Sequence, residues 1–183
     1  GWQAVRWPML QLDRQISYGN HEYDGPIKPH PFTAAQFGNQ PHYTYRVLTV
    51  PGGTVLLVFL NSSVQFGAGS AQRVWLEQTF AANATASWKF IFTHHAAYST
   101  GGAPLLSLRE LTPLFDQHRI DLWVSGHVLW YERTLQYVGQ ATGYTSCADG
   151  ICVTDSRLTG YLQGVGRIQV NPGCGGMRCY GTA

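Results

Sequence analysis

Apolar and polar positions alternate along this chain in short blocks that predict a succession of strands and helices. Gln15-Ile16-Ser17-Tyr18 reads as a short strand running into Gly19-Asn20. From Asp24 to Gln40, Pro26, Pro29, Pro31 and two glycines predict an irregular surface loop. Tyr43 to Val50 and Thr54 to Leu60 flank Pro51-Gly52-Gly53 and predict a hairpin, whose second strand is apolar on both faces and so expected to be buried. Trp75, Leu76 and Phe80 recur among Gln, Arg and Glu over residues 71–82, the spacing of an amphipathic helix. Leu108, Leu111, Leu114 and Phe115 repeat that signal and predict a second helix over residues 105–118, started by Ser107 or by Pro104. Two apolar runs, Lys89–Thr93 and Asp121–Ser125, complete a strand–helix–strand–helix–strand alternation, and Gly166–Val170 adds a further strand before a Gly-rich turn. Such alternation predicts an α/β layered fold.

Composition narrows the class. The chain has 183 residues, enough for one domain with a sizeable core, and no internal repeat, low-complexity tract or linker divides it. With 44% hydrophobic and 12% charged residues it is globular and poor in charge. A formal charge of +2 is too small to imply a nucleic-acid or membrane partner. No apolar run approaches the roughly 20 residues that span a bilayer, and the first residues lack the basic-then-apolar pattern of a signal peptide. A leader, if the protein is secreted, has been removed or lies outside this sequence.

Secretion is nonetheless the expectation from the cysteines and sequons. The four cysteines fall as two close pairs, Cys147 with Cys152 and Cys174 with Cys179, in loops rich in Gly, Ser, Asp and Pro. Proximity favours pairing within each couple; a cross-linked arrangement comes second, and zinc binding third because neither spacing is a C-x₂-C knuckle. Asn61-Ser62-Ser63 and Asn83-Ala84-Thr85 are N-glycosylation acceptors in a secreted chain. Both asparagines are expected at the surface, one after a strand and one after a helix.

Chemistry concentrates where strands end. Gly19-Asn20-His21-Glu22, His94-His95 and Gly126-His127-Val128-Leu129-Trp130-Tyr131-Glu132-Arg133 each follow a predicted strand. Asn and His at the carboxyl ends of strands stand where open α/β folds place their sites. Taken singly, Asn20 would be a turn residue and His94 a hydrogen-bonded edge histidine. Taken together, an amide oxygen and two imidazoles suit Zn, Fe or Mn rather than Ca or Mg.

This order, GNHE, then an apolar strand ending in His, then GHxxxYER, resembles the calcineurin-like metallophosphoesterases and most closely the purple acid phosphatases. The resemblance runs from about Trp7 to Met177 and covers the later part of that family's catalytic domain, so residues 1–183 read as a single, partial domain. It implies a sandwich of two β-sheets flanked by helices and lacking the family's first strands. The implied activity is hydrolysis of phosphate monoesters at a two-metal site, in which two ions ~3.5–4 Å apart clamp the attacking and leaving oxygens. By the same resemblance Asn20, His94 and His127 match the ligands of one metal. His21 matches the histidine that contacts substrate phosphate and assists proton transfer, a role suited to an imidazole; a hydrogen-bonding role behind the site is the other reading.

Two departures accompany the match. The family's last motif is GHxHxYER, and its second His, a ligand of the other metal, is Leu129 here. The family's Asp-bearing motifs, DxG and GDxxY, precede GNHE, and neither occurs in this chain. His95 receives no ligand role, because the family follows its ligand His with a small or polar residue and then Pro. Tyr131, Glu132 and Arg133 are expected to be structural, with a buried Glu132–Arg133 pair orienting the His127 loop. Gly173 to Gly176 resembles the Gly-Gly turn after the family's last core strand. His30, His42 and His118 are expected at solvent-exposed or helix-dipole positions. Two functional readings follow: a secreted acid-phosphatase-type hydrolase completed by an upstream or associated segment and binding one metal or none by itself, or an inactive phosphatase-fold glycoprotein with a structural or binding role. Self-association is the other expected way of completing the molecule.

Non-reducing peptide mapping should recover Cys147 linked to Cys152 and Cys174 linked to Cys179. Recovery of free thiols, or of Cys147 joined to Cys174 or Cys179, would contradict the local pairing.

Overall fold

A computed structural model describes residues 15–20, 42–102, 104–139 and 147–173. The hairpin forms as the pattern requires: β1 (Thr44–Val50) and β2 (Gly53–Phe59) pair antiparallel from Thr44↔Phe59 to Val50↔Gly53. Gly52 and Gly53 adopt positive φ at the turn, +93° and +154°, where a side chain would be strained. Ser70 then caps α1 (Ala71–Ala82), its side chain accepting from the Arg73 amide. β3 (Trp88–Phe92) returns parallel to β2.

The second predicted helix is broken. Residues Leu106–Leu111 form a 3₁₀ turn, and only Thr112–Gln117 continue as α-helix, α2. Pro113 sits in the first turn of α2, where its missing N–H leaves no bond unmade, whereas in the middle of one continuous helix it would remove one. β4 (Leu122–Val124) follows, then β5 (Tyr131–Arg133), β6 (Gln136–Gly139), β7 (Cys147–Ala148), β8 (Ile151–Asp155) and β9 (Ile168–Pro172). The larger sheet has the order β1-β2-β3-β4-β9-β5, with β2, β3, β4 and β9 parallel and β1 and β5 antiparallel at its edges; the smaller is β6-β8-β7. Among the described residues a mixed α/β fold with two sheets is therefore observed. Residues 15–18 join neither sheet. The Ser17 hydroxyl instead lies 3.0 Å from the Leu60 carbonyl and 2.6 Å from that of Phe92, which pins the segment across the ends of β2 and β3.

One face of the larger sheet builds the core. Leu56, Val58, Ile91 and Trp123 are fully buried against Leu76 and Phe80 of α1 and Leu114 and Phe115 of α2. Phe115 meets Trp123 edge to face at 4.9 Å, an arrangement that adds to the area buried. Side chains that alternate to the other face, Val55, Leu57, Phe59, Phe90, Phe92, Leu122 and Val124, are half-buried. β2 is thus buried on one face only, not on both.

Arg167 ties the two sheets together through α2. Its guanidinium, 1% exposed, pairs with Asp116 at 2.6 Å, donates to the Thr112 carbonyl and lies over the Tyr137 ring at 4.9 Å. The other oxygen of Asp116 accepts from the Gly139 amide of β6. Cys147 and Cys152, directly opposed on β7 and β8, form a disulfide as expected. Cys174 and Cys179 lie outside the described residues.

One surface expectation is corrected, and two others are placed. Asn61 is fully buried: its Oδ1 accepts from the Ser63 amide, while its backbone exchanges hydrogen bonds with the Gln72 side chain. A glycan cannot be attached to that side chain in the folded chain. Asn83 ends α1, half-buried, its Nδ2 donating to the Thr79 carbonyl. His118 ends α2 as expected, half-buried, with its ring 4.9 Å from that of Phe80; burial, with Lys89 nearby, lowers its pKa.

Replacing Asp116 with alanine leaves the Arg167 charge buried without its partner. Because the Asp116 carboxylate is itself 28% exposed, the expected loss is about 3 kcal/mol, the low end for breaking a buried pair, read as a lowered urea midpoint.

Candidate metal centre

Three parallel strands deliver their following residues to one edge of the sheet. β2 runs into Leu60-Asn61-Ser62, β3 into Thr93-His94-His95 and β4 into Ser125-Gly126-His127. The turns are fixed by backbone bonds between them: Thr93 N donates to the Val124 carbonyl at 3.0 Å and Gly126 N to the His94 carbonyl at 2.8 Å. Trp123 Nε1 donates to Thr93 Oγ1 from inside the core, which itself donates to the His95 carbonyl. His127 is held at φ +67°, a left-handed conformation that costs a non-glycine residue on the order of 1 kcal/mol. Such strain persists where surrounding structure imposes it, here in the turn between Gly126 and buried Val128.

Gly19 explains the glycine of the GNHE motif. A Cβ at this position would lie 2.0 Å from Cγ of His94. The backbone of residue 19 therefore packs flat on the imidazole, and no larger residue fits while His94 keeps its place.

Asn20 and His127 both stand beside His94. His94 Nε2 lies 2.9 Å from Asn20 Oδ1 and 3.1 Å from His127 Nδ1. Two atoms bound to one ion at about 2.1 Å stand roughly 3.0–3.4 Å apart in octahedral or tetrahedral geometry. The two distances to His94 Nε2 are close to that spacing, and an amide oxygen and ring nitrogens are donors of the type a borderline transition metal takes. Asn20 and His127 are exposed and His94 half-buried, so the group faces solvent. His21 and Glu22 lie outside the described residues.

His95 also belongs to this group. Its ring is 4.5 Å from that of His127 and 4.8 Å from that of His94. One ligand atom from each of His94, His95 and His127 lies within 4.8 Å of the others, so the three could hold an ion. Ser62, at the end of β2, fixes His95: its Oγ is 2.8 Å from Nδ1 and accepts from the His95 amide at 3.1 Å. The signal for His95 was the His-His pair at a strand end; its Ser62 partner is 33 residues away and shows only in the fold.

The YER residues are placed differently from expectation. Tyr131 is 67% exposed, and Glu132 forms no ion pair with Arg133. Glu132 Oε1 accepts instead from both the amide and the hydroxyl of Thr100, 2.9 Å each. Burial pushes the Glu132 pKa up, but the Ser99 hydroxyl, the Thr100 amide, the Trp130 indole and the Thr100 hydroxyl outweigh it and hold the carboxyl below its usual range. The residue thus fastens the loop after His95 to the strand after His127, and glycines complete the seam: a Cβ on Gly101 would strike the Trp130 ring, and one on Gly102 the Val128 side chain.

Gly19→Ala should displace His94 and weaken Zn²⁺ binding by about tenfold or more, as loss of ligand orientation does elsewhere, while the far-ultraviolet circular dichroism stays unchanged. Equal affinity in the variant, measured by chelator competition, would separate Gly19 from the site.

A model of the calcineurin-like phosphoesterase family matches residues 4–131. Two uncharacterized proteins of Mycobacterium tuberculosis, from strains CDC 1551 / Oshkosh and ATCC 25618 / H37Rv, are each 31% identical over 141 residues, covering 63% of this chain and 27% of theirs. The purple acid phosphatase PPD1 from yellow lupin (Lupinus luteus) seeds has a similar fold, with a TM-score of 0.60 and 17% identity over 86% of this chain and 30% of that one. The chain thus spans between a quarter and a third of the length of these relatives. Taken with the fold and the strand-end residues, the family match establishes that this chain belongs to the calcineurin-like phosphoesterases.

Proposed function

We propose that this chain carries the histidine and asparagine half of a metal-dependent phosphate-monoester hydrolase of the purple-acid-phosphatase type. The convergence of Asn20 Oδ1, His94 Nε2 and His127 Nδ1 carries the reading. Fe, Zn or Mn suits such ligands, and a bound ion would supply Lewis acidity toward phosphoryl oxygens and activate water at modest pH. The chain's own groups do the rest. Asn20, His94 and His127 would hold the ion, and the backbone bonds at the ends of β3 and β4 fix the turns that carry His94 and His127. His21, next in sequence to Asn20, is the general acid of this proposal, handing its proton to the leaving alkoxide. The group faces solvent, so a phosphate ester can approach it directly. Carboxylate ligands would come from polypeptide beyond these residues, by continuity of the chain or by association.

An extracellular location is part of the proposal. It is supported by the Cys147–Cys152 disulfide, which persists in oxidising compartments, and by the Asn83 sequon. A second reading, an inactive member with a binding or structural role, is favoured by Leu129, an apolar side chain where the family motif carries a ligand.

The test compares the chain alone with the chain joined to a segment bearing the family's two Asp motifs. Alone, it should hydrolyse an aryl phosphate negligibly, with or without Leu129→His. Joined, with Leu129→His, it should hydrolyse it at mildly acidic pH, and His94→Ala should abolish the activity. Hydrolysis by the chain alone that survives His94→Ala, or an inactive joined protein that binds metal, would refute the proposal.

A further inference from the structure

We infer that Ser125, Asn171 and Glu132 form an internal site that binds ordered water beneath the ends of β4, β9 and β5. The inference stands apart from the metal-centre reading and rests on where buried polar atoms fall. Asn171 is fully buried and Ser125 is 3% exposed. Neither side chain has a hydrogen-bonding partner in the protein: Oδ1 and Nδ2 of Asn171 and Oγ of Ser125 are all unmet. Folded proteins rarely leave such groups without a partner, so each asks for one.

Sheet register sets these groups side by side. Phe92 pairs with Val124 and Val124 with Val170, so Thr93, Ser125 and Asn171 stand level on β3, β4 and β9. The Ser125 amide bonds the Val170 carbonyl at 2.9 Å and carries that alignment past the last ladder pair. On the other side, Glu132 of β5 is the direct partner of Asn171. Level residues on neighbouring strands point to the same face, about 5 Å apart. Ser125 and Asn171 follow buried Trp123 and Gln169 by two residues and so share their face. Both ends of this row are met by the protein. Thr93 Oγ1 accepts from Trp123 and donates to the His95 carbonyl, and Glu132 Oε1 accepts twice from Thr100. The middle is not met. Glu132 Oε2 is buried and unbonded; the Ser99 hydroxyl and Trp130 indole favour the carboxylate's charge but make no hydrogen bond of ordinary length and angle to it. Four of the eight buried side-chain atoms without a partner among the described residues thus lie on this one row, so a shared occupant accounts for them together.

The chemistry of the four atoms selects the occupant. Asn171 Nδ2 only donates, Asn171 Oδ1 and Glu132 Oε2 only accept, and Ser125 Oγ can do either. A cation would suit the oxygens but face the amide hydrogens, and an anion would meet the carboxylate. Water both donates and accepts, and a buried water typically makes about three such bonds. One water between Ser125 and Asn171 and another between Asn171 and Glu132 meet all four atoms. They also tie β4, at the residue before the Gly126-His127 turn, to β9 and β5.

The experiment uses the whole chain, labelled with ¹⁵N, and records water-selective NOE and ROE spectra at mildly acidic pH, where amide exchange is slow. The Asn171 carboxamide signal is assigned by its loss in Asn171→Leu. Cross-peaks of a resident water to the Asn171 Nδ2 hydrogens are expected, weakened or lost in Ser125→Ala. Ser125→Ala should also lower the melting temperature by about 2–4 °C, and Asn171→Leu by at least as much. A dry row gives the opposite sign, because apolar replacement of an unmet buried group is neutral or stabilising. The spectrum of the unsubstituted chain and Ser125→Ala decide the matter if Asn171→Leu does not fold. No water cross-peak at the Asn171 carboxamide, a cross-peak that Ser125→Ala leaves unchanged, or a melting temperature that Ser125→Ala does not lower would overturn the site.

Discussion

The level endings of three parallel strands are the constraint on which the rest of the structure depends. Phe59 is in register with Phe92, and Phe92 with Val124, so β2, β3 and β4 stop at the same height. Whatever follows them in sequence must emerge along one edge. A shift of one strand by two residues would move its loop about 7 Å and take Ser62, the His94-His95 pair or His127 out of reach of the others. Leu56, Val58, Ile91 and Trp123 pack against α1 and α2 from one face in this register. Core packing and site geometry are in this sense one problem: Trp123 fills the centre of the core and also bonds Thr93, two residues before His95.

Much of this was legible in the sequence because it follows from periodicity. The hairpin, α1, β3, β4 and β9 all carry strong local patterns, and each forms close to its expected span. The rest depends on distant partners. Residues 15–18 have a strand's alternation but find hydrogen bonds through Ser17 instead of a ladder. The helix over 105–118 has one apolar stripe, yet Pro113 divides it into two geometries that the stripe cannot distinguish. The strands β5 to β8 are two to five residues long, too short to show a period.

Legibility at the site follows the same division. His94 and His127 could be picked out because each follows a strand, and Asn20 because it lies in the GNHE motif; these are local features. Glu132 was identifiable as structural, but its partner was not: the adjacent Arg133 is the obvious guess from sequence, while the fold offers Thr100, 32 residues away. Asn61 shows the converse, since an Asn-Ser-Ser signal is local and says nothing of Gln72 closing over it.

The left-handed backbone at His127 sets this turn apart from the rest of the sheet edge. Glycine relaxes that conformation outright and asparagine tolerates it better than most residues. Either substitution would relieve the turn and remove nothing the core requires, because the side chain is exposed. Residue 127 is therefore a position where the stability of the fold and the placing of an imidazole beside His94 pull in opposite directions.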